Sequence, residues 1–528
     1  MISPKLTRRG LFAATGGALI LAACSDDSTE SSDTKPSTGD STGDTPGSGA
    51  EQAGGTEPYE VVVAISRDPE QLDPHKTGDN AEFIWNNVYE PLYRRSVDGS
   101  EVLPLLAAEL PTQIDDTTWE IPLNPDARFA SGDPVTAADV AYTIESIVHN
   151  DLVLSIGDRL EGIASAEAVD DLTVRMTTKT VDPIFLSRLT YGLIVQEGQR
   201  EVEGWPQSGH NGSGAYTFDS WEPGSQVHLT RRDDYWGEDV SAAPSTVVVR
   251  IIPDKATQLL SLENNELDIV PELSPDQART APVSARVSGT DSTLIRTNTL
   301  NGRPLATPEL REAGSLAIDR QAIVDVLFEG DATVAECQIA PATEFGHTVG
   351  LGEAEYDPDR ARELVAEFYD GTPLSFIAGA GFSPKHSDVA QAVAQNLQDV
   401  GFNIDLQITD SREVLAAQFG SKDGFADLLL WTTNAELFEA IQSMQWVRGD
   451  HGFSAVQNDV VDAAVAEVLS TTDVAARQAA YDTINRTTCE EHLNYYLYYL
   501  DDFYGISEDI AWTPRAEGWI ILKDIRPA

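Results

Sequence analysis

The chain has 528 residues, of which 41% are hydrophobic, enough for one very large domain or two to three of ordinary size. Acidic residues outnumber basic residues by 86 to 35, which gives a formal net charge of −51 at pH 7. A surface with this charge repels nucleic acid and anionic lipid, so neither is an expected partner.

The N-terminus has the pattern of an export signal. Arg8 and Arg9 precede an apolar run over residues 10–23, and that run ends in Leu-Ala-Ala before Cys24. This order indicates a twin-arginine lipoprotein signal peptide over residues 1–24, with lipid attached to Cys24 after cleavage. The run is shorter than the ~20 residues that span a bilayer. We therefore expect a protein on the extracytoplasmic face of the cell membrane, held there by its lipid anchor only.

A polar segment follows the signal. Residues 25–58 consist almost wholly of Ser, Thr, Gly, Asp, Glu and Pro, without a large apolar side chain. Such a composition cannot bury a core, so this segment is predicted to be a disordered tether.

Strand and helix patterns alternate from residue 59 onward. Strands are predicted at 60–65, 118–123, 216–218, 226–231, 247–252, 267–270, 404–408, 427–431 and 495–500. Helices are predicted at 81–92, 137–148 behind a capping box, 255–263, 308–318, 319–328, 358–368, 388–400, 460–469 and 474–489. This alternation indicates an α/β protein with mixed sheets.

Two cysteines remain after Cys24. Cys337 and Cys489 belong to an exported chain, so a disulfide between them is the first hypothesis, and a pair of buried free thiols is the alternative. The disulfide would close a loop of about 150 residues, which the chain-entropy description values at roughly 5 kcal/mol at most.

Common catalytic and metal-binding motifs are absent from the sequence. It has no His-Glu-x-x-His, no Cys-x-x-Cys, no P-loop and no Gly-x-Ser-x-Gly nucleophile elbow, since the one such pattern, at 39–43, lies in the polar segment 25–58; no two of its 8 histidines are three or four residues apart. We therefore expect a protein that is not an enzyme, with no catalytic residue, metal site or cofactor.

A series of motifs runs along the chain in a characteristic order. The most specific is Phe-Ala-Ser-Gly-Asp-Pro-Val-Thr-Ala-Ala-Asp-Val at 129–140. The others lie at 66–76, 87–92, 211–216, 234–237, 316–320 and 356–361. In order and spacing these motifs resemble those of extracytoplasmic solute-binding proteins of the oligopeptide, dipeptide and nickel group (bacterial solute-binding protein family 5), the receptors of ABC importers. The resemblance extends from residue 59 to the end of the chain.

This resemblance implies a two-lobed fold of the periplasmic-binding-protein type (type II, the large three-segment variety), with a ligand cleft between the lobes and a hinge that closes on ligand. The implied segments are lobe I at 59–81, 205–300 and 497–528, a subdomain inserted in lobe I at 82–204, and lobe II at 301–496.

The resemblance also implies part of a binding site. In peptide-binding members a strand ends in Trp, and an Asp three residues later pairs with the α-ammonium group of the ligand. Trp431 matches the first position, whereas the second holds Asn434, whose neutral amide forms weaker hydrogen bonds than a carboxylate. Glu436 is the expected substitute for that Asp, unless the ligand has no free amine. The other residues expected near the cleft are Thr433, Arg67, Asp68 and Tyr498.

These observations favour a monomeric receptor that captures a peptide or peptide-like solute and delivers it to the transmembrane subunits of an ABC permease. One alternative is a receptor of the same fold for a metal chelate, a sugar or another small solute. The other, of a different class, is a ligand-sensing lipoprotein or a hydrolase.

Overall fold

The structure is a computed structural model that describes residues 57–69, 71–76, 82–149, 159–419 and 422–528. The predicted signal peptide with Cys24, and all but the last two residues of the predicted tether, lie outside this range. Among the residues that are described, no helix combines the length and apolar character needed to cross a membrane.

The strands and helices of the described residues alternate as expected for an α/β protein. The strands are β1 Glu60–Ile65, β2 Tyr93–Arg95, β3 Val102–Pro104, β4 Thr112–Asp115, β5 Thr118–Pro122, β6 Ile163–Asp170, β7 Thr173–Thr178, β8 Tyr216–Glu222, β9 Gln226–Arg231, β10 Thr246–Ile251, β11 Ile269–Leu273, β12 Val283–Thr297, β13 Ala332–Val334, β14 Leu374–Gly379, β15 Ile404–Thr409, β16 Leu428–Asn434, β17 Asn494–Ile506, β18 Ile510–Ala511 and β19 Arg526–Pro527. The helices are α1 Glu82–Val88, α2 Ala137–Val148, α3 Phe185–Arg188, α4 Lys255–Glu263, α5 Pro275–Ala278, α6 Pro308–Ala317, α7 Arg320–Leu327, α8 Pro358–Phe368, α9 His386–Asp399, α10 Arg412–Ala416, α11 Ala440–Ser443, α12 Asp459–Ser470 and α13 Val474–Glu490.

One mixed sheet organises most of the fold. Its strand order is β15-β14-β16-β12-β17-β11-β1-β10-β9-β8, and β13 pairs with β17 outside this path. The pairs of β1 with β10 and of β14 with β15 are parallel, whereas β12 is antiparallel to both β16 and β17. The mixed sheet predicted from the alternating pattern is therefore confirmed.

The two central strands, β12 and β17, connect both parts of this sheet. At one end β17 pairs with β11, and at the other end β12 pairs with β16 while β17 pairs with β13. Their mutual register shifts between Val287, opposite Asp502, and Asp291, opposite Leu500. The strands that flank β12 and β17 therefore change part-way along these two strands. In β12 the change lies some ten residues before the lobe boundary expected at residue 300. In β17 it lies a few residues after the boundary expected at residue 496.

A second sheet, β4-β5-β7-β6, is antiparallel and packs against α2. Val140 and Ile144, four residues apart on the helix, are both buried in this core. At the N-terminus of the helix, the backbone N–H of Thr136 donates to the Asp139 carboxylate at 2.7 Å. The structure therefore confirms the predicted capping box.

The first helix is shorter than predicted. The sequence indicates a helix over 81–92, whereas α1 ends at Val88. Pro91 explains the difference, because proline disfavours helical backbone at the residue before it and has no N–H to donate.

Cys337 and Cys489 form a disulfide in the structure, with their Cα atoms 5.3 Å apart. The bond ties the segment after β13 to the C-terminal end of α13, across a sequence separation of 152 residues.

Candidate functional site

A small cavity of about 180 Å³ lies beside β17, between α1 and the C-terminal segment. Three aromatic residues, Phe83, Tyr504 and Trp519, contribute to its wall. Three acidic residues, Glu82, Glu272 and Asp502, line it as well. Sites for drug-sized ligands typically measure about 300–1,000 Å³, so this cavity suits a small solute or one part of a larger solute. A larger groove of about 720 Å³ between α12 and α13 is shallow, open to solvent and distant in sequence from every predicted site residue except the disulfide cysteine Cys489.

Arg159 connects the cavity to the segment after β16. Its guanidinium lies 2.5 Å from the carboxylate of Glu82 on one side and 2.5 Å from that of Glu436 on the other. The guanidinium also lies over the ring of Tyr191, 4.6 Å from the centroid, and the Tyr191 hydroxyl donates to the Glu436 carbonyl at 2.9 Å. Arg159 compensates the charge of Glu436 in this arrangement, and the role of Glu436 in place of the missing Asp stays a prediction.

A second contact joins the same two parts of the chain. The Arg95 guanidinium donates to the carbonyl of Leu437 and lies 4.3 Å from the centroid of the Phe438 ring. The segment 436–438 is therefore held against residues from the range 82–204.

Asp291 takes a position that the sequence does not reveal. It is the register partner of Asn434 in the antiparallel pair of β12 and β16. Directly opposite residues in such a pair project from the same face, with Cβ atoms roughly 4.5–5.5 Å apart. The carboxylate that is missing at Asn434 is thus present on the neighbouring strand. Asn434 itself is exposed and donates to Glu436 at 3.3 Å.

The carboxyl groups of Asp291 and Asp502 have perturbed acidities. Burial raises the pKa of Asp291 to about 8, and the negative charges of Asp502 and Glu436 add to this rise. Burial also raises the pKa of Asp502 to about 6, with further contributions from Glu272 and Asp501. Within the described ranges, neither Asp291 nor Asp502 has a hydrogen-bond or ion-pair partner.

Glu344 is a third carboxyl group without a partner. It lies between β13 and α8, it is only 4% exposed, and neither carboxylate oxygen has a hydrogen-bond partner in the described part of the chain. Burial and the charges of Glu439 and Asp291 raise the pKa of Glu344 well above its usual value.

Trp431 belongs to an aromatic cluster. Its ring centroid lies 4.1 Å from that of Phe382, 4.9 Å from Phe419 and 5.9 Å from Trp446. Trp446 is fully buried, whereas Phe382 is 44% exposed, so the cluster reaches from the core to the surface. Alternation along β16 places Trp431 and Asn434, three residues apart, on opposite faces of the strand.

The remaining predicted residues have other surroundings. Asp68 accepts hydrogen bonds from the Trp221 indole at 2.8 Å and from the backbone N–H of Gly224 at 2.6 Å, so it fixes the turn between β8 and β9. Tyr498 is fully buried, and its ring lies 4.8 Å from that of Phe328. Neither Asp68 nor Tyr498 lines the cavity, and their expected place near the solute stays a prediction. Thr433 is buried and Arg67 is exposed, and neither lines the cavity.

The residues that sequence reasoning missed share one property. Asp502 and Trp519 meet in the cavity only through the packing of the C-terminal segment, and Asp291 faces Asn434 only through the pairing of β12 with β16. None of them lies in a recognisable motif, so the one available signal was their residue type.

The family comparison decides the class of protein. The family model "Bacterial extracellular solute-binding proteins, family 5 Middle" matches residues 101–454, which is about two thirds of the chain. The chain belongs to the bacterial extracellular solute-binding proteins of family 5. Proteins of this family serve ABC importers as substrate-binding receptors, and the predicted family is confirmed.

Two family 5 relatives and one solved structure illustrate the similarity. The glutathione-binding protein GsiB of Pectobacterium atrosepticum is 26% identical over 442 residues, which cover 80% of this chain and 85% of the relative. The nickel-binding periplasmic protein of Escherichia coli is 24% identical over 466 residues, 81% of this chain and 86% of the relative. The ABC transporter substrate-binding protein CtaP of Listeria monocytogenes superposes with a TM-score of 0.77 at 23% identity, covering 89% of this chain and all of CtaP. The expected two-lobed periplasmic-binding-protein fold is confirmed.

Proposed function

We propose that this family 5 protein captures a peptide or peptide-like solute in a cleft between two lobes and delivers it to the permease of an ABC importer. The observation that carries this proposal is the cavity beside β17, where aromatic rings and carboxyl groups from separate segments of the chain surround a space for a small solute. Aromatic walls supply apolar contact, and a few polar groups fix the orientation of the solute.

The residues that line the cavity all belong to the segments expected for lobe I and its inserted subdomain, so the cavity would form the lobe I side of the proposed cleft, with lobe II opposite. The bonds of Arg159 and Arg95 to residues 436–438 would then hold the lobes together around the site. We place the hinge at the register shift of β12 and β17, where the main sheet changes its flanking partners. A few backbone torsions there suffice for opening and closing.

A peptide-like solute is favoured by two considerations. GsiB is named for glutathione, which is itself a small peptide. The aromatic and acidic residues of the cavity also suit the apolar side chain and the ammonium group of a short peptide.

A metal chelate is the second candidate, because one relative is named for nickel. The described residues contain no group of three or more His, Cys, Asp or Glu side chains that could hold a metal ion. In this case the protein would bind the organic part of the chelate.

We propose further that the protein is exported by the twin-arginine route and anchored through lipid on Cys24. The support is the order of Arg8, Arg9, the apolar run and Cys24 in the sequence. Segment 25–58 would then tether the receptor to the outer face of the membrane.

Native mass spectrometry tests the solute proposal. Protein purified without denaturation should carry a non-covalent adduct with the mass of a small peptide-like solute, and this adduct should be lost on unfolding. Trp519→Ala should reduce the adduct, because Trp519 forms part of the cavity wall. Phe368→Ala is the matched control, since Phe368 is 40% exposed and lies at the end of α8. A metal chelate as the adduct, or no adduct together with no binding of a peptide pool, would contradict the proposal.

A further inference from the structure

Arg159 joins the cavity wall to the segment after β16 through two short ion pairs. Its guanidinium lies 2.5 Å from the carboxylate of Glu82, which lines the cavity, and 2.5 Å from that of Glu436, which does not. Glu82 begins α1 in the range expected for the inserted subdomain, whereas Glu436 belongs to the range expected for lobe II. One side chain therefore bonds to both sides of the proposed cleft.

Arg159 is held from the subdomain side of this bridge. The residue is buried, and its carbonyl accepts a hydrogen bond from the Arg188 guanidinium at 2.8 Å. Its own guanidinium lies over the ring of Tyr191. Arg188 and Tyr191 both belong to the range 82–204. When the lobes separate, we therefore expect Arg159 to stay with Glu82 and to lose Glu436.

Tyr191 provides a second connection between the cavity and Glu436. Its ring packs edge-on against that of Trp519, which lines the cavity, with the ring centroids 5.3 Å apart and the planes at 80°. Its hydroxyl donates to the Glu436 carbonyl at 2.9 Å. Both the carboxylate and the backbone of Glu436 are thus bonded to side chains that contact the cavity wall.

The two carboxylates of this bridge share one guanidinium. Glu82 and Glu436 bring two negative charges, and Arg159 supplies one positive charge between them. The side chains of Glu82 and Glu436 are only 17% and 22% exposed, so water screens these interactions less than it does on an open surface. A solute that donates a hydrogen bond to Glu82 weakens the hold of that carboxylate on Arg159. Arg159 then binds Glu436 more strongly.

We propose that Arg159 and Tyr191 form a latch that holds lobe II closed over an occupied cavity. Glu82 and Trp519 contact the solute, and Arg159 and Tyr191 respond by holding Glu436. Arg159 and Tyr191 are positioning residues, since neither lines the cavity. This inference rests on the proposed function and names the residues that regulate the same cleft.

The distance between the lobes of the empty protein tests the latch without any solute. Spin labels at Asp171→Cys in the subdomain and at Glu367→Cys on α8, both exposed positions, report this distance by double electron-electron resonance. Arg159→Gln should raise the ratio of open to closed protein about tenfold, because a buried ion pair with Glu436 is lost. Tyr191→Phe, which removes one hydrogen bond, should raise it about threefold.

Two further variants distinguish the latch from a purely structural role. Glu82→Gln keeps the shape of the side chain but removes its charge, so Arg159 should bind Glu436 more strongly and the ratio of open to closed protein should fall. Glu436→Gln should raise that ratio as Arg159→Gln does. It also tests the latch if Arg159→Gln fails to fold, because Glu436 is the less buried of the two. Loss of a merely structural support would move both glutamate variants in the same direction.

Arg175→Gln is the matched control. Arg175 also bridges two glutamates, Glu120 at 2.7 Å and Glu167 at 3.0 Å, and all three residues belong to the subdomain. This variant should leave the distance between the lobes unchanged. Circular dichroism and thermal denaturation show which variants fold.

A pool of di- to pentapeptides tests the connection between solute and latch. At saturation the pool should shift the wild type toward the closed distance. Native mass spectrometry should show that Arg159→Gln binds the same peptides about tenfold more weakly, because closure no longer contributes to affinity. Equal affinities would overturn the connection.

The outcomes separate the latch from the proposed function. Unchanged distances in Arg159→Gln or Glu436→Gln, or opening caused by Glu82→Gln, would overturn the latch and leave the receptor function intact. If no peptide binds the wild type and no solute co-purifies, the proposed peptide function fails. The distances in the empty protein then still decide whether the latch exists.

Discussion

Trp431 has two roles in the structure that a substitution can separate. Its ring packs between the exposed Phe382 and the buried Trp446, so it belongs both to the core and to the surface of the proposed lobe II. The sequence alone suggests a cleft wall, whose loss would lower the stability of the fold less than it weakens solute binding. The aromatic cluster instead indicates a contribution to the stability of the fold.

We predict that Trp431→Ala lowers the free energy of unfolding by about 2–3 kcal/mol, somewhat less than for a fully buried Trp. The family resemblance, which puts Trp431 in the cleft wall, predicts in addition that solute binding weakens by about 1–3 kcal/mol. Because Trp431 does not line the cavity beside β17, a loss of this size would mean that the solute extends beyond the cavity. Urea denaturation and calorimetry with the co-purified solute measure the two effects. Phe382→Ala, which removes a more exposed ring of the same aromatic cluster, is the control. It should lower the free energy of unfolding by less than Trp431→Ala does. Unchanged affinity in Trp431→Ala would show that this side chain does not contact the solute.

At the residue scale, the sequence predicts positions within motifs and misses residues that meet through the fold. Trp431 and Asn434 were identified from a strand and its spacing. Asp291 was not, because its relation to Asn434 exists only in the paired strands β12 and β16. The hydrogen bond by which the Asp68 carboxylate holds the turn at Gly224 was likewise not visible in the sequence.

At the scale of elements, strong local patterns were sufficient to predict the bounds of two helices. The helices predicted at 255–263 and 358–368 have the same bounds in the structure, since each begins after an Asp whose side chain accepts a backbone N–H. β12 was not predicted, because its sequence is rich in polar residues and contains Gly289. Its strand structure depends on two flanking strands, which no local pattern encodes.

The disulfide between Cys337 and Cys489, which links the segment after β13 to α13, should contribute to the stability of the fold. Replacing both cysteines by Ser should lower the free energy of unfolding by about 2–5 kcal/mol, because the loop between them is long. Guanidinium denaturation of the double variant and of the reduced wild type should give the same loss. Alkylation of both Cys337 and Cys489 in the denatured, exported protein without reductant would contradict a disulfide.

At the scale of the whole molecule, the predicted anchor determines where the receptor works. Cys24→Ser should block lipidation and leave precursor or soluble protein, since the described residues contain no helix that could cross a membrane. Fractionation of cells and mass spectrometry of the mature N-terminus measure the result. Variant protein that remains with the membranes as wild type does would contradict the lipid anchor.

The fold class and family of the whole chain were predictable because motifs recur in order along it. The cavity was not predictable, because the residues that line it lie far apart in sequence and meet only in the folded protein. Composition could not reveal its acidic residues either, since 86 acidic residues are distributed along the chain.

The most direct test of the central claim is a crystal structure of the protein with its co-purified solute. We predict a solute in the cavity beside β17, in contact with the rings of Tyr504 and Trp519. A solute bound elsewhere would contradict the account.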